Sequence, residues 1–298
     1  MRAKIIAFIK LSRAYFLLMS VLPYGIGVGI ARQEVDEQDS RLVWMGLVAQ
    51  LLIQLSVSYL NDYWDIETDR INTRRTLLSG GSGELITGVL PPVVALVAGN
   101  GLQVLAFILA MLANISSTSW LVLVLSITIT QVYTAPPIKL VYRGLGEITT
   151  AILAAFIVPS WAYSLQIGEL NGEIFWLGLP LIPFVTAMML GIATPDIEAD
   201  RQVDKITLAV LAGEANLARV YLGIVLLGYL LALLILPVML PVFVLIGVGL
   251  SIPLAGWAWA GLRNPIKATN FEWLFMVVRT GLVALVMILT INAGVWFG

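Results

Sequence analysis

The chain has 298 residues, 59% of them hydrophobic and 12% charged, with a net charge of −1 and a mean hydropathy of +0.95. That composition describes a polytopic membrane protein, and the near-neutral charge excludes the basic face a nucleic-acid partner would need. There is no cysteine and no histidine, so thiolate and imidazole chemistry, disulfides and metalloprotease-type zinc are excluded, leaving carboxylates, Lys, Arg, Tyr and Asn.

The amino terminus, Met-Arg-Ala-Lys-Ile-Ile-Ala-Phe-Ile-Lys, leads into an apolar run from Ala14 to Ala31. This run is too long for a signal-peptide core and lacks a small-x-small cleavage site, so a retained first span is expected. Arg13 begins it, either as an interfacial anchor or as a substrate ligand. Windows of roughly 17 to 25 residues, enough to cross a bilayer, fall near 13–31, 42–60, 93–113, 118–135, 147–165, 174–194, 217–237, 240–261 and 274–297. Nine helices are predicted, with tight turns at 114–117 and between Pro237 and Pro241.

The second span ends in Asn61-Asp62-Tyr63-Trp64-Asp65-Ile66-Glu67-Thr68-Asp69. Asp62, Asp65 and Asp69 fall at i, i+3 and i+7, which lines one face of a helix. Carboxylates are costly beside a bilayer, and three on one face repel unless a cation bridges them. An oxygen-only ligand set suits a hard ion such as Mg2+, which normally shares its shell with a phosphate. Asn61 can offer an amide oxygen to that shell or a donor to a phosphate, Arg70 follows the motif, and Tyr63 and Trp64 fit interfacial anchors. Downstream, Ser79-Gly80-Gly81-Ser82-Gly83 is either a flexible linker or a stretch whose backbone can approach an anion; no Gly-Lys-Ser or Gly-Lys-Thr completes a nucleotide loop. Asn100 and Gln103, inside the third span, read as interhelical hydrogen-bond partners.

Tyr133-Thr134-Ala135-Pro136-Pro137-Ile138-Lys139 ends the fourth span, with Arg143 close behind. Lys139 either caps a helix end or helps neutralise a leaving diphosphate. The sixth span ends in Thr194-Pro195-Asp196-Ile197-Glu198-Ala199-Asp200. Thr194 reads as an N-cap and Pro195 as a first helical residue. Asp196, Asp200 and Asp204 fall at i, i+4 and i+8 and are expected on one helix face, with Asp204 either a ligand or paired to Arg201 or Lys205. Arg279 lies about two turns inside the last span and needs snorkelling or a partner.

With the amino terminus inside, 14 of the 17 basic residues fall on the cytoplasmic side, as the positive-inside bias requires. Both acidic motifs and the 136–146 loop then share that side, and the carboxyl terminus lies outside. A single membrane domain, 1–298, is expected, with cytoplasmic cap loops near 61–92, 136–146 and 195–216.

At these residues the chain resembles the UbiA-type intramembrane aromatic prenyltransferases, whose first signature, Asn-Asp-x-x-Asp-x-x-x-Asp, residues 61 to 69 match at every fixed position. Asp196-Ile197-Glu198-Ala199-Asp200-Arg201, followed by Lys205-Ile206-Thr207-Leu208-Ala209-Val210, is similar to the family's second motif. The Ser79 to Gly83 loop with Gly88 and Pro91, and Gly144-Leu145-Gly146-Glu147, look most like the menaquinone branch, whose members prenylate 1,4-dihydroxy-2-naphthoate. One departure stands out: ubiquinone-branch members tend to place a Lys four residues after the Tyr, where Pro137 stands here and Lys139 comes two later.

The resemblance implies nine helices around a central cavity in an inner cell membrane, with a polyprenyl tail buried among lipid-facing helices. Asp62, Asp65, Asp69, Asp196 and Asp200 would hold Mg2+ and, with Asn61, form the catalytic set. Arg13, Arg70, Tyr133, Lys139, Arg143, Asp204 and Lys205 would bind the polyprenyl diphosphate or the aromatic acceptor. Rival acceptors are 4-hydroxybenzoate, homogentisate, a chlorophyll precursor or a glycerol-phosphate lipid. An ion-coupled transporter is the rival from another class, though its carboxylates would be expected nearer mid-membrane.

Overall fold

The computed structural model describes residues 2–264, 267 and 269–298. Among these residues there is no strand, only an isolated bridge between Arg143 and Ile206. Nine helical segments are long and apolar enough to cross a membrane, and each predicted window overlaps one of them. The chain is an all-helical integral membrane protein.

The first segment is broken: α1 (Arg2–Leu11) stops at Arg13, whose φ of 43° is left-handed, and a 3-10 turn leads into α2 (Leu18–Glu34). Next, α3 (Ser40–Trp64) is capped by Asp39, whose carboxylate accepts from Arg41 N at 2.9 Å, and continues after Asp65 as α4 (Ile66–Ile71). Between α5 (Val93–Ala113) and α6 (Ser117–Thr134), Asn114 is left-handed and Ser116 caps α6, which makes the tight turn read from the sequence. The fifth span is α7 (Gly146–Ile152), a π segment (Leu153–Ile157) and α8 (Val158–Ile167). Pro159 has no N–H to offer Ala155, and the wider π turn accommodates that lost bond.

Past α9 (Gly172–Gly178), Pro180 starts α10 (Leu181–Ala193). A 3-10 turn (Thr194–Asp196) carries that helix into α11 (Ile197–Gln202), and α12 (Leu208–Ala212) follows. The last three helices are α13 (Leu217–Met239), α14 (Val244–Leu262) and α15 (Asn270–Phe297). Pro237 sits inside α13, so the turn expected from Pro237 begins later, at Leu240.

The chain divides into two compact units: Met1–Asn72, Gly80–Lys139 and Ile157–Asn171 form the first, and Thr73–Ser79, Leu140–Phe156 and Gly172–Gly298 the second. In the first, α3 approaches α5 closely at Gly99, where an added Cβ would lie 2.7 Å from Leu60 Cγ. Gln131 Nε2 donates to Asn100 Oδ1 at 2.8 Å and to Gln103 Oε1 at 2.6 Å, and Gln103 Nε2 donates to Ser56 Oγ at 3.1 Å. This network ties α3, α5 and α6 together, as read from Asn100 and Gln103.

In the second unit, α10 meets α15 where Gly191 leaves room for Thr280, and it meets α13 where Phe184 lies edge-on to Tyr229 at 5.1 Å. The Arg279 guanidinium lies 4.5 Å from the Trp257 ring centroid and 4.6 Å from that of Phe275. Its partners inside the span are therefore aromatic faces, through cation–π attraction.

Candidate functional site

The first carboxylate group forms where α3 passes into α4. Helical pitch survives the break at Asp65: Asp65 N donates to Asn61 O and Asp69 N to Asp65 O, both at 2.8 Å. Asp62 and Asp69 are buried, at 2% and 7% exposure, and Asp65 is half-buried. Arg13 Nη2 lies 3.2 Å from Asp62 Oδ1. The backbone break at Arg13 thus delivers a cation to this carboxylate, and Arg13 is more than an interfacial anchor.

Loop 80–84 closes on the same group. Ser82 N donates to Asp62 Oδ2 at 3.1 Å, and Ser82 Oγ donates to the same oxygen. Gly81 has a φ of 67°, and a Cβ there would overlap the Asp69 carboxylate; only glycine suits both the backbone and the space. Glu84 pairs with Lys10 at 3.1 Å, which ties this loop to α1. The glycine-rich stretch does approach an anion, and the anion is the protein's own Asp62. Asn61 Oδ1 accepts from Thr134 Oγ1 at 3.3 Å, beside the buried Tyr133. Lys139 is half-buried and left-handed, with φ of 48°. Arg70 is exposed and pairs with no carboxylate among the described residues.

The second group lies at the end of α10 and along α11. Thr194 is not an N-cap: helix runs through it, and its Oγ1 donates back to Leu190 O at 2.8 Å. The helix has no free start here, because Pro195 is absorbed by a 3-10 turn instead of opening a new helix. Asp196 is half-buried and Asp200 is 2% exposed. Lys205 Nζ lies 3.6 Å from Asp200 Oδ1, and Thr207 Oγ1 donates to Asp200 Oδ2 at 3.4 Å.

Asp204 does not join Asp196 and Asp200 on one helix face, because α11 ends at Gln202. It is exposed, with φ of 52°, while Asp204 N donates to Arg201 O at 3.4 Å and Lys205 N to Asp200 O at 2.8 Å. These two bonds around a left-handed residue are a Schellman ending, in which Asp204 takes the place usually given to glycine. Lys205, thrown back by this turn, pairs with Asp200. Arg143 is exposed, and the backbone beside it is stitched to 204–206 by Gly144 N donating to Ile206 O at 2.5 Å.

Sequence reasoning passed over Ser82 and Thr207 as ligands of the aspartates, and Glu147 as a buried acid. Their signal was present in the Gly-rich loop and in the Gly144 to Glu147 stretch, but hydroxyls carry no spacing rule that names the carboxylate they will meet.

Among the described residues, no three Asp or Glu side chains gather into a closed metal cage. Mg2+ needs no such cage, since it is usually held by one or two carboxylates plus phosphate oxygens and water. Donor chemistry fits as well: both groups offer only oxygen, and Asp62 and Asp200 are held by donors that fix their orientation.

The profile of the UbiA prenyltransferase family matches residues 20–293. A protein of Dictyostelium discoideum, UbiA prenyltransferase domain-containing protein 1, is 26% identical over 76% of this chain and 70% of its own length. The 1,4-dihydroxy-2-naphthoate octaprenyltransferase of Bacillus subtilis (strain 168) is 25% identical over 68% of this chain; the match spans 65% of that protein. Among solved structures, a UbiA homolog from Archaeoglobus fulgidus bound to DMAPP and Mg2+ has the same fold, with a TM-score of 0.67 at 16% identity over 95% of this chain and 98% of that one.

Proposed function

This chain belongs to the UbiA prenyltransferase family, and on that premise we propose that it moves a polyprenyl group from its diphosphate to 1,4-dihydroxy-2-naphthoate in quinone biosynthesis. The observation that carries the reading is the pair of buried aspartates, Asp62 and Asp200, each held beside a cation at the end of a membrane helix. Asp62, Asp65 and Asp69 would hold one Mg2+, and Asp196 and Asp200 another; a family homolog bound to Mg2+ supports the choice of metal. When bound, Mg2+ neutralises the charge that grows on the diphosphate as the allylic C–O bond breaks.

The protein's own residues do the remaining work. Arg13 and Lys205, each beside an aspartate, would offer N–H donors to diphosphate oxygens. Asn61, held through its Oδ1 by Thr134, keeps its amide nitrogen for a phosphate oxygen. The C–O bond electrons leave with the diphosphate, and the electron-rich ring forms a C–C bond to the prenyl carbon. The ring then loses a proton, or its carboxyl group as CO2, and becomes aromatic again; a carboxylate or the released diphosphate takes the proton.

Similarity to the Bacillus protein supports the naphthoate acceptor, as do the Ser79 to Gly83 loop and the Gly144 to Glu147 stretch. The basic residues favour a cytoplasmic amino terminus and cytoplasmic carboxylate groups in the cell membrane. Mass spectrometry of lipid quinones from a host lacking its own naphthoate prenyltransferase tests the acceptor. A new prenylated naphthoquinone is expected, and a prenylated benzoate, homogentisate or glycerol-phosphate lipid in its place would assign a different one.

A further inference from the structure

Arg279 stands about two and a half turns into α15, which begins at Asn270. Helical side chains lean toward the amino-terminal end, so the guanidinium reaches back over Phe275, with Cζ 4.6 Å from the ring centroid. Trp257 of α14 forms the second wall of a corner: its ring meets Phe275 edge-on, with centroids 5.2 Å apart at 82°, and lies 4.5 Å from the same Cζ. Gly261 leaves space for the cation, since a Cβ there would come within 2.9 Å of Arg279 Nη1.

The corner is open on its outer side. Trp257 and Phe275 are 38% and 40% exposed, and Phe271, stacked on Phe275 with centroids 6.4 Å apart, is 74% exposed. In a membrane protein such a face meets lipid. The rings offset the positive charge but give its N–H donors no oxygen to bond. Nε is buried without a hydrogen-bond partner, and no carboxylate pairs with the guanidinium among the described residues. Nη1 and Nη2 are therefore the atoms that can meet an acceptor. The one acid of α15, Glu272, accepts from Thr269 N at 3.0 Å in the helix cap. Arg263, exposed at the end of α14 and 5.0 Å from the Trp259 ring centroid, adds a second cation to the same end of this helix pair. A cation with unused donors is costly beside hydrocarbon. Near a helix end, the acceptors a bilayer supplies are the phosphate and ester oxygens of its lipids.

We propose that the corner of Trp257, Phe275 and Arg279 binds the phosphodiester of an anionic membrane phospholipid. The two terminal nitrogens of the guanidinium match a pair of non-bridging phosphate oxygens. The glycerol and first methylenes of the lipid lie against Phe271, Phe275 and Trp257. Charge sets the preference: a choline headgroup would bring its own cation toward Arg263 and Arg279, whereas a glycerol headgroup brings none.

Native mass spectrometry of the purified full chain in detergent, titrated with dioleoylphosphatidylglycerol or dioleoylphosphatidylcholine, tests this. The native chain is expected to bind one phosphatidylglycerol about tenfold more tightly than phosphatidylcholine, and Arg279→Gln to bring the two within about twofold. Arg219→Gln removes an exposed cation at the start of α13 and is expected to keep the preference. Arg279→Lys keeps the charge without the planar fork; it should lower the preference about threefold, and it serves if Arg279→Gln does not fold. No preference in the native chain, a preference unchanged in Arg279→Gln or Arg279→Lys, or an equal loss in Arg219→Gln, which would mean diffuse attraction, would overturn the proposal. Displacement of phosphatidylglycerol by equimolar farnesyl diphosphate would give the corner to a prenyl diphosphate instead and overturn it as well.

Discussion

Asp62 and Asp200 are each 2% exposed, and each meets one cation and one hydroxyl: Arg13 and Ser82 for the first, Lys205 and Thr207 for the second. Burial of a carboxylate is tolerated only with a counter-charge and donors for its oxygens, and breaking such a pair leaves an uncompensated charge that costs about 3–5 kcal/mol. Arg13→Ala should therefore lower the unfolding temperature of the detergent-solubilised, metal-free protein. Adding Asp62→Asn should recover most of the loss. Thermal unfolding of the two single variants and the double variant checks this, and additive losses would mean that the pair does not act as a unit.

Among elements, the acidic helix ends show how far spacing can be read. The i, i+3, i+7 reading of Asp62, Asp65 and Asp69 holds because hydrogen bonds of helical pitch cross the break between α3 and α4. The i, i+4, i+8 reading fails at Asp204, because a Schellman ending reverses the chain at that residue and no glycine announces the turn. That ending makes Asp204 a capping residue. Asp204→Gly should relieve the left-handed backbone, leave diphosphate release within about twofold of the native rate, and stabilise the fold by up to about 1 kcal/mol, less what glycine's greater freedom in the unfolded chain takes back. Loss of activity in that variant, measured beside its unfolding curve, would return Asp204 to the substrate. The nine spans were legible for a simpler reason: apolar length is a property of each segment alone. The hydroxyls of Ser82 and Thr207 and the buried acid Glu147 were not, because a loop folding back on a helix end depends on tertiary contacts that no local pattern encodes.

For the whole molecule, the proposed topology, drawn from the uneven distribution of Lys and Arg, has the amino terminus and both carboxylate groups on the cytoplasmic side. The chain has no cysteine, so single cysteines report sidedness without background. In intact cells an impermeant maleimide should label Glu37→Cys and spare Gln202→Cys until the membrane is opened; the reverse pattern would invert the topology. The central claim, that both carboxylate groups serve one Mg2+-dependent prenyl transfer, is tested most directly by diphosphate release from a prenyl diphosphate in the presence of 1,4-dihydroxy-2-naphthoate. The native protein should release diphosphate with Mg2+ and stop when the metal is chelated. Asp65→Ala and Asp200→Ala should each lower the rate by about a hundredfold or more, and the double variant little further. Release that persists without Mg2+, or that survives both substitutions, would contradict the account.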